Sequence, residues 1–172
     1  MIVTAHTAGW EIVGPLLARD YGIKMMIAMA LEADARAMHV YDGSRKATGL
    51  EITHIGDPLA SLPLLRHLKS GGVVALQLDR VVPGMRTRRV TMLGTEGTIP
   101  EGPLRLAELS GAPILPVFSA RIGYHHYLVE SSEVCSVPRR ASGAVLDEAA
   151  QRLATDMTRL LRAHPTQWFS WQ

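Results

Sequence analysis

Residues 73–79 read VVALQLD, an apolar run interrupted by one glutamine and closed by an acid. Such a run has no alternate polar face to give to water. It is therefore a strand covered on both sides, as central strands of α/β sheets are. Just before it, SLPLLRHLKSGG (61–72) reads as a helix. Ser61 is placed to cap it, Pro63 sits in its first turn, and Gly71 with Gly72 stops it.

The same alternation runs along the chain. IVTA (2–5) is a short buried strand, and Trp10 to Asp20 is a helix whose Pro15 restricts it to the first turns or marks a later start. Gly22 ends that helix. KMMIAMA (24–30) is a strand, EADARAMHVY (32–41) a helix, DGSRKATG (42–49) a loop and LEITHI (50–55) a strand. Further on, RRVTML (88–93), PILPVF (113–118) and YHHYLVES (124–131) read as strands, with the prolines of the second at its start and near an edge or bulge. GPLRLAELSG (102–111) is a short helix with a glycine stop. Leu146, Ala150, Leu153, Met157, Leu160 and Leu161 stand at helical spacing over 144–163, and Pro165 ends that helix. Strands alternating with helices predict an α/β fold, a sheet covered by helices, in one domain spanning 1–172.

Composition narrows the class. Apolar residues are 47% of 172, enough for a core, and charged residues are 20%, without a low-complexity block. Cys135 is the single cysteine, so neither an internal disulfide nor a cysteine metal cage forms within the chain. His125 and His126 are adjacent on a predicted strand and so face opposite sides, which argues against a shared metal. No bilayer-spanning run and no leader peptide is read, and the expected location is cytoplasmic. Net charge is only +2, but Arg80, Arg86, Arg88 and Arg89 cluster in a stretch whose residues 81–95 contain no acid. That patch suits an anionic partner, or is a solvated loop.

HTAGWE (6–11) carries the chemistry. His6 lies just past the end of the first strand, where ligands gather in open α/β sheets. Glu11 falls in the first turn of the helix, where the dipole favours a carboxylate. A turn of this length can fold Glu11 onto the imidazole, which leaves the other ring nitrogen to take a proton. The plain alternative is that Glu11 serves only the helix start and His6 only closes a strand.

HTAGWE resembles the H-x-x-x-x-D/E motif of glycerolipid acyltransferases, and more narrowly the form found in the lipid A biosynthesis acyltransferases. Other segments resemble that family in order: Arg45 followed by Gly49, LLRHLKSGGVVALQLDR ending near Asp79, MLGTEGTIPEGPLRLAELSGAPILPVF, and HPTQWFSW. The likeness runs over nearly the whole chain. It implies a glycerolipid-acyltransferase-like α/β fold, a mixed central sheet flanked by helices. The activity it implies is transfer of a fatty acyl group from an acyl-carrier-protein or CoA thioester to a hydroxyl or amine of a lipid or related acceptor. His6 would be the base and Glu11 its orienting acid. Gly9, Trp10, Arg45, Asp79 and Arg80 would bind substrate: amides near Gly9 and the Arg45 guanidinium as oxyanion donors, Trp10 as a wall of the acyl channel, and Asp79 orienting an arginine or the acceptor. Arg86, Arg88 and Arg89 would dock acyl carrier protein. No bound cofactor, metal or nucleic acid is implied, and peripheral membrane contact is. Glu96-Gly97-Thr98 resembles a phosphate-binding motif of the glycerol-phosphate acyltransferases, but is expected in a turn before Gly102-Pro103. Family members usually carry a membrane helix before the histidine motif, which is not seen here. That departure leaves two other readings, a non-catalytic binder of acyl chains or carrier protein, and a thioester hydrolase.

Overall fold

A computed structural model describes residues 1–30, 50–55 and 61–169. The helix expected over 32–41, the loop over 42–49 and Arg45 within it lie outside the described residues. The strands are β1 (Ile2–Thr4), β2 (Met25–Ala30), β3 (Glu51–Ile55), β4 (Val73–Gln77), β5 (Thr87–Met92), β6 (Thr95–Pro100), β7 (Leu115–Gly123) and β8 (His126–Ser131). The helices are α1 (Trp10–Tyr21), α2 (Ser61–Lys69), α3 (Gly102–Ser110) and α4 (Gly143–Ala163).

Six strands form one sheet in the order β3-β2-β4-β1-β7-β8, and β5 with β6 forms a separate hairpin. The pairings from β3 to β7 are parallel, while β8 returns antiparallel to β7. This is the mixed sheet flanked by helices that the sequence pattern implies. β4 and β1 are central, as their apolar runs require. No described helix is long and apolar enough to cross a membrane.

The two faces of the sheet are covered unequally. Val3, Val74 and Leu76 point into the main core, against Leu64 and Leu68 of α2, Leu104 and Ala107 of α3, and Leu146, Ala150 and Leu153 of α4. Strand alternation then sends Ile2, Thr4, Ala75 and Gln77 to the opposite face, under α1. Met157, Leu160 and Leu161 carry the stripe of α4 into a second cluster with Ala5 and Phe118. All six residues at helical spacing in α4 are buried. Ser142 caps α4 by accepting from the Val145 amide.

Four local expectations are corrected. Glu96-Gly97-Thr98 lies within β6 and not in a turn, because Leu93 and Gly94, both at positive φ, already close the two-residue hairpin loop. Pro116 sits inside β7, an interior strand, opposite Val3 where the pairing with β1 runs out. The missing amide therefore costs little ladder. His125 occupies the tight turn before β8 at φ 56°, so only His126 belongs to the strand. Pro15 stands inside α1, which continues through it to Tyr21.

Candidate active site

The parallel register of β1 and β4 sets Thr4 beside Gln77. Two residues further along each strand come His6 and Asp79, at the C-terminal edge of the sheet. His6 Nδ1 lies 2.9 Å from Asp79 Oδ1, and the His6 backbone amide donates to Asp79 Oδ2 at 2.9 Å. The Trp168 indole N–H also donates to Oδ2, again at 2.9 Å. The Asp79 side chain is fully buried, while the His6 side chain keeps 18% of its surface exposed.

Burial pushes the Asp79 carboxyl up. The hydrogen bond and charge of the His6 ring, with the Trp168 and His6 backbone donors, outweigh it and hold the carboxyl below the ordinary carboxylate value. An ionised carboxylate only accepts, so the proton between the two side chains sits on Nδ1. The Nε2 lone pair is then the basic atom. Trp10 meets the imidazole edge to face, with ring centroids 5.8 Å apart.

The structure gives the histidine a carboxylate partner that the sequence reading places only among the substrate-binding residues. One ring nitrogen bonds Asp79, and Glu11 sits exposed in the first turn of α1. The physical reason is the register: β1 and β4 are parallel neighbours, so residues two past Thr4 and two past Gln77 come together at the sheet edge.

The His6 loop is held from below by the end of the described chain. After α4, a 3₁₀ turn (Pro165–Gln167) leads to Trp168, which forms an antiparallel bridge with Thr7. Ala8 N–H donates to Gln167 O at 3.0 Å, and Phe169 N–H to His6 O at 2.9 Å. The Gln167 side chain accepts from the Arg121 amide of β7. Trp168 and Gln167 were not singled out in the sequence. The only signal was their place in HPTQWFSW.

Gly9 caps α1 at φ 89°, a conformation that favours glycine. A Cβ there would stand 2.5 Å from Cδ1 of Tyr127, so this close approach excludes side chains as well. Behind Trp10 opens an apolar cleft of about 450 Å³, counted with its solvent-facing mouth. Trp10, Val13 and Leu17 of α1 roof it, and Ile2, Thr4, Ala75 and Gln77 floor it.

The arginines divide. Arg80, Arg86 and Arg89 are exposed. Arg88 is not part of a free patch: its Nε donates to Glu101 at 3.0 Å and its Nη1 to Asp147 at 2.9 Å, with 16% of the side chain exposed. Strand alternation explains why adjacent Arg88 and Arg89 part company. Glu101 is also bonded by Arg105, which reaches Glu108, whose carboxylate accepts from the Ala141 amide. Arg88 therefore ties the β5–β6 hairpin to α3 and α4.

No curated protein matches the chain. The model of one family, described as bacterial lipid A biosynthesis acyltransferase, matches residues 1–172. That match covers every segment that builds the site, from the His6 loop through Asp79 to Trp168, and by it the chain belongs to the bacterial lipid A biosynthesis acyltransferase family and is an acyltransferase.

Proposed function

We propose that this enzyme moves a fatty acyl group from an acyl-carrier-protein thioester, or its CoA equivalent, to a hydroxyl or amine of a lipid acceptor, with His6 as general base. The observation that carries the reading is the His6 Nδ1 to Asp79 Oδ1 hydrogen bond at the sheet edge, which leaves Nε2 as the proton acceptor. His6 Nε2 takes the acceptor's proton as its oxygen or nitrogen attacks the thioester carbonyl. The tetrahedral intermediate collapses with loss of the thiolate, which recovers the proton from the imidazolium. Asp79 holds the tautomer and stabilises the imidazolium. Glu11, exposed in the first turn of α1, is the proposed second carboxylate of the motif.

The cleft beyond Trp10 is the place for the acyl chain, with Trp10 as its near wall. Amides of the Gly9 turn and the Arg45 guanidinium are the proposed oxyanion donors. Exposed Arg80, Arg86 and Arg89 suit an acidic carrier protein or a phosphorylated lipid. Carrier and lipid meet at the cytoplasmic surface of the membrane, where we place the reaction.

The test is incubation with an acyl-carrier thioester and a panel of acceptors, followed by mass spectrometry. Transfer to an acceptor supports the reading, free fatty acid marks a hydrolase, and an intact thioester marks a binder. His6→Ala is expected to lose about 10²–10⁴ in rate. Glu11→Ala is expected to lose less than His6→Ala. Wild-type turnover in His6→Ala would sink the base assignment.

A further inference from the structure

The cleft under α1 is apolar except on its floor, where Thr4 and Gln77 stand side by side. Gln77 Nε2 is wholly buried and has no hydrogen-bond partner. A buried amide donor without a partner costs about 1–3 kcal/mol, so a merely structural residue at this position would do better as leucine or methionine. The position is also defined relative to the chemistry. Gln77 comes two residues before Asp79 on β4, about 6.5 Å along a strand, and Thr4 lies beside it two residues before His6. A chain whose carbonyl carbon sits at His6 therefore passes Gln77 within its first few carbons.

We propose that Gln77 is a specificity residue, selecting acyl chains that carry a hydroxyl a few carbons from the thioester carbonyl, through a hydrogen bond inside the otherwise apolar cleft. A hydroxyl both gives and receives, so it pairs with either end of the carboxamide. A plain hydrocarbon chain leaves the amide unpaired and is penalised. The asymmetry is the one that lets a site built to bond a hydroxyl reject the analogue without it. The inference rests on the acyltransferase reading for where the carbonyl lies.

The test pairs dodecanoyl and β-hydroxydodecanoyl thioesters of acyl carrier protein, with the full chain and with Gln77→Met, which keeps length and removes both polar atoms. The wild type is expected to favour the hydroxylated donor about tenfold in kcat/KM, and the variant to lose that preference while turning over the plain donor at least as well. A second arm reads binding without turnover, by displacement of a fluorescent fatty acid with dodecanoate or β-hydroxydodecanoate. Turnover and binding without a hydroxyl preference, or a preference that survives in Gln77→Met, overturns the role of Gln77 and leaves the transferase reading standing. A Gln77-dependent binding preference without any transfer keeps Gln77 and overturns the transferase reading.

Discussion

Trp168 donates its indole N–H to Asp79 across 89 residues of chain, and so holds the carboxylate that holds His6. The indole does not face the reacting atoms; it is a positioning residue. Removing its N–H takes away one of the bonds that oppose burial at Asp79, and the carboxyl then moves up toward ordinary values.

Trp168→Phe is therefore expected to lower kcat by about tenfold, the worth of one hydrogen bond to a charged group. KM for the donor stays close to wild type. Steady-state kinetics read both, and full kcat in the variant removes Trp168 from the site.

Asp79→Asn tests the tautomer. Oδ2 accepts two N–H groups, from His6 and Trp168, so an asparagine turns its oxygen there and its NH₂ toward the ring. Nδ1 must then accept, the proton moves to Nε2, and the base is blocked. The expected fall in kcat is about 10²–10⁴ with folding retained. Circular dichroism and steady-state rates check it. Near-normal kcat would mean that another group sets the ring.

The arginines separate stability from docking. Arg88→Ala leaves Glu101 and Asp147 without their guanidinium and is expected to cost about 2 kcal/mol in urea unfolding. Arg86→Glu with Arg89→Glu leaves stability near wild type and raises KM for a carrier-protein donor, an effect that fades with added salt. Equal KM for the charge-reversed and parent proteins at low salt would exclude these two from docking.

Acid stability follows from two buried carboxylates. At Asp79 and Glu101 burial acts upward, but bonds from His6 and Trp168 in one case and from Arg105 and Arg88 in the other leave both below their ordinary values of 3.8 and 4.5. The unfolded chain then binds protons first as pH falls. Their stabilisation is complete above those values and is lost as pH drops through the folded ones. Denaturant midpoints measured from pH 7 downward are expected to fall below pH 4.5, with a shallower fall in Glu101→Gln. A parallel fall in both proteins would assign acid lability to other groups.

The central strand and the stripe of α4 were legible in the sequence because both are local patterns, one of continuous apolarity and one of helical period. His6 was legible for the same reason, as the end of a short strand before a tight turn. Its acid was not. Glu11 is five residues away and Asp79 is 73, and nothing in one sequence states which strands will be neighbours or in what register. Asp79 was marked as a substrate residue, but the bond that defines it is a property of the assembled sheet. Arg88 shows a nearer miss: the alternation that separates it from Arg89 was available once 88–93 was read as a strand. Trp168 needed the tertiary fold, because its bond spans most of the chain.

The strap from Pro165 through Trp168 has a consequence for the order in which the site is assembled. The imidazole and its carboxylate meet once β1 and β4 pair, but the carboxylate is clamped only when an indole 89 residues beyond it docks. The sheet alone thus brings base and acid together, and alignment of the pair is completed last, by the segment that follows α4.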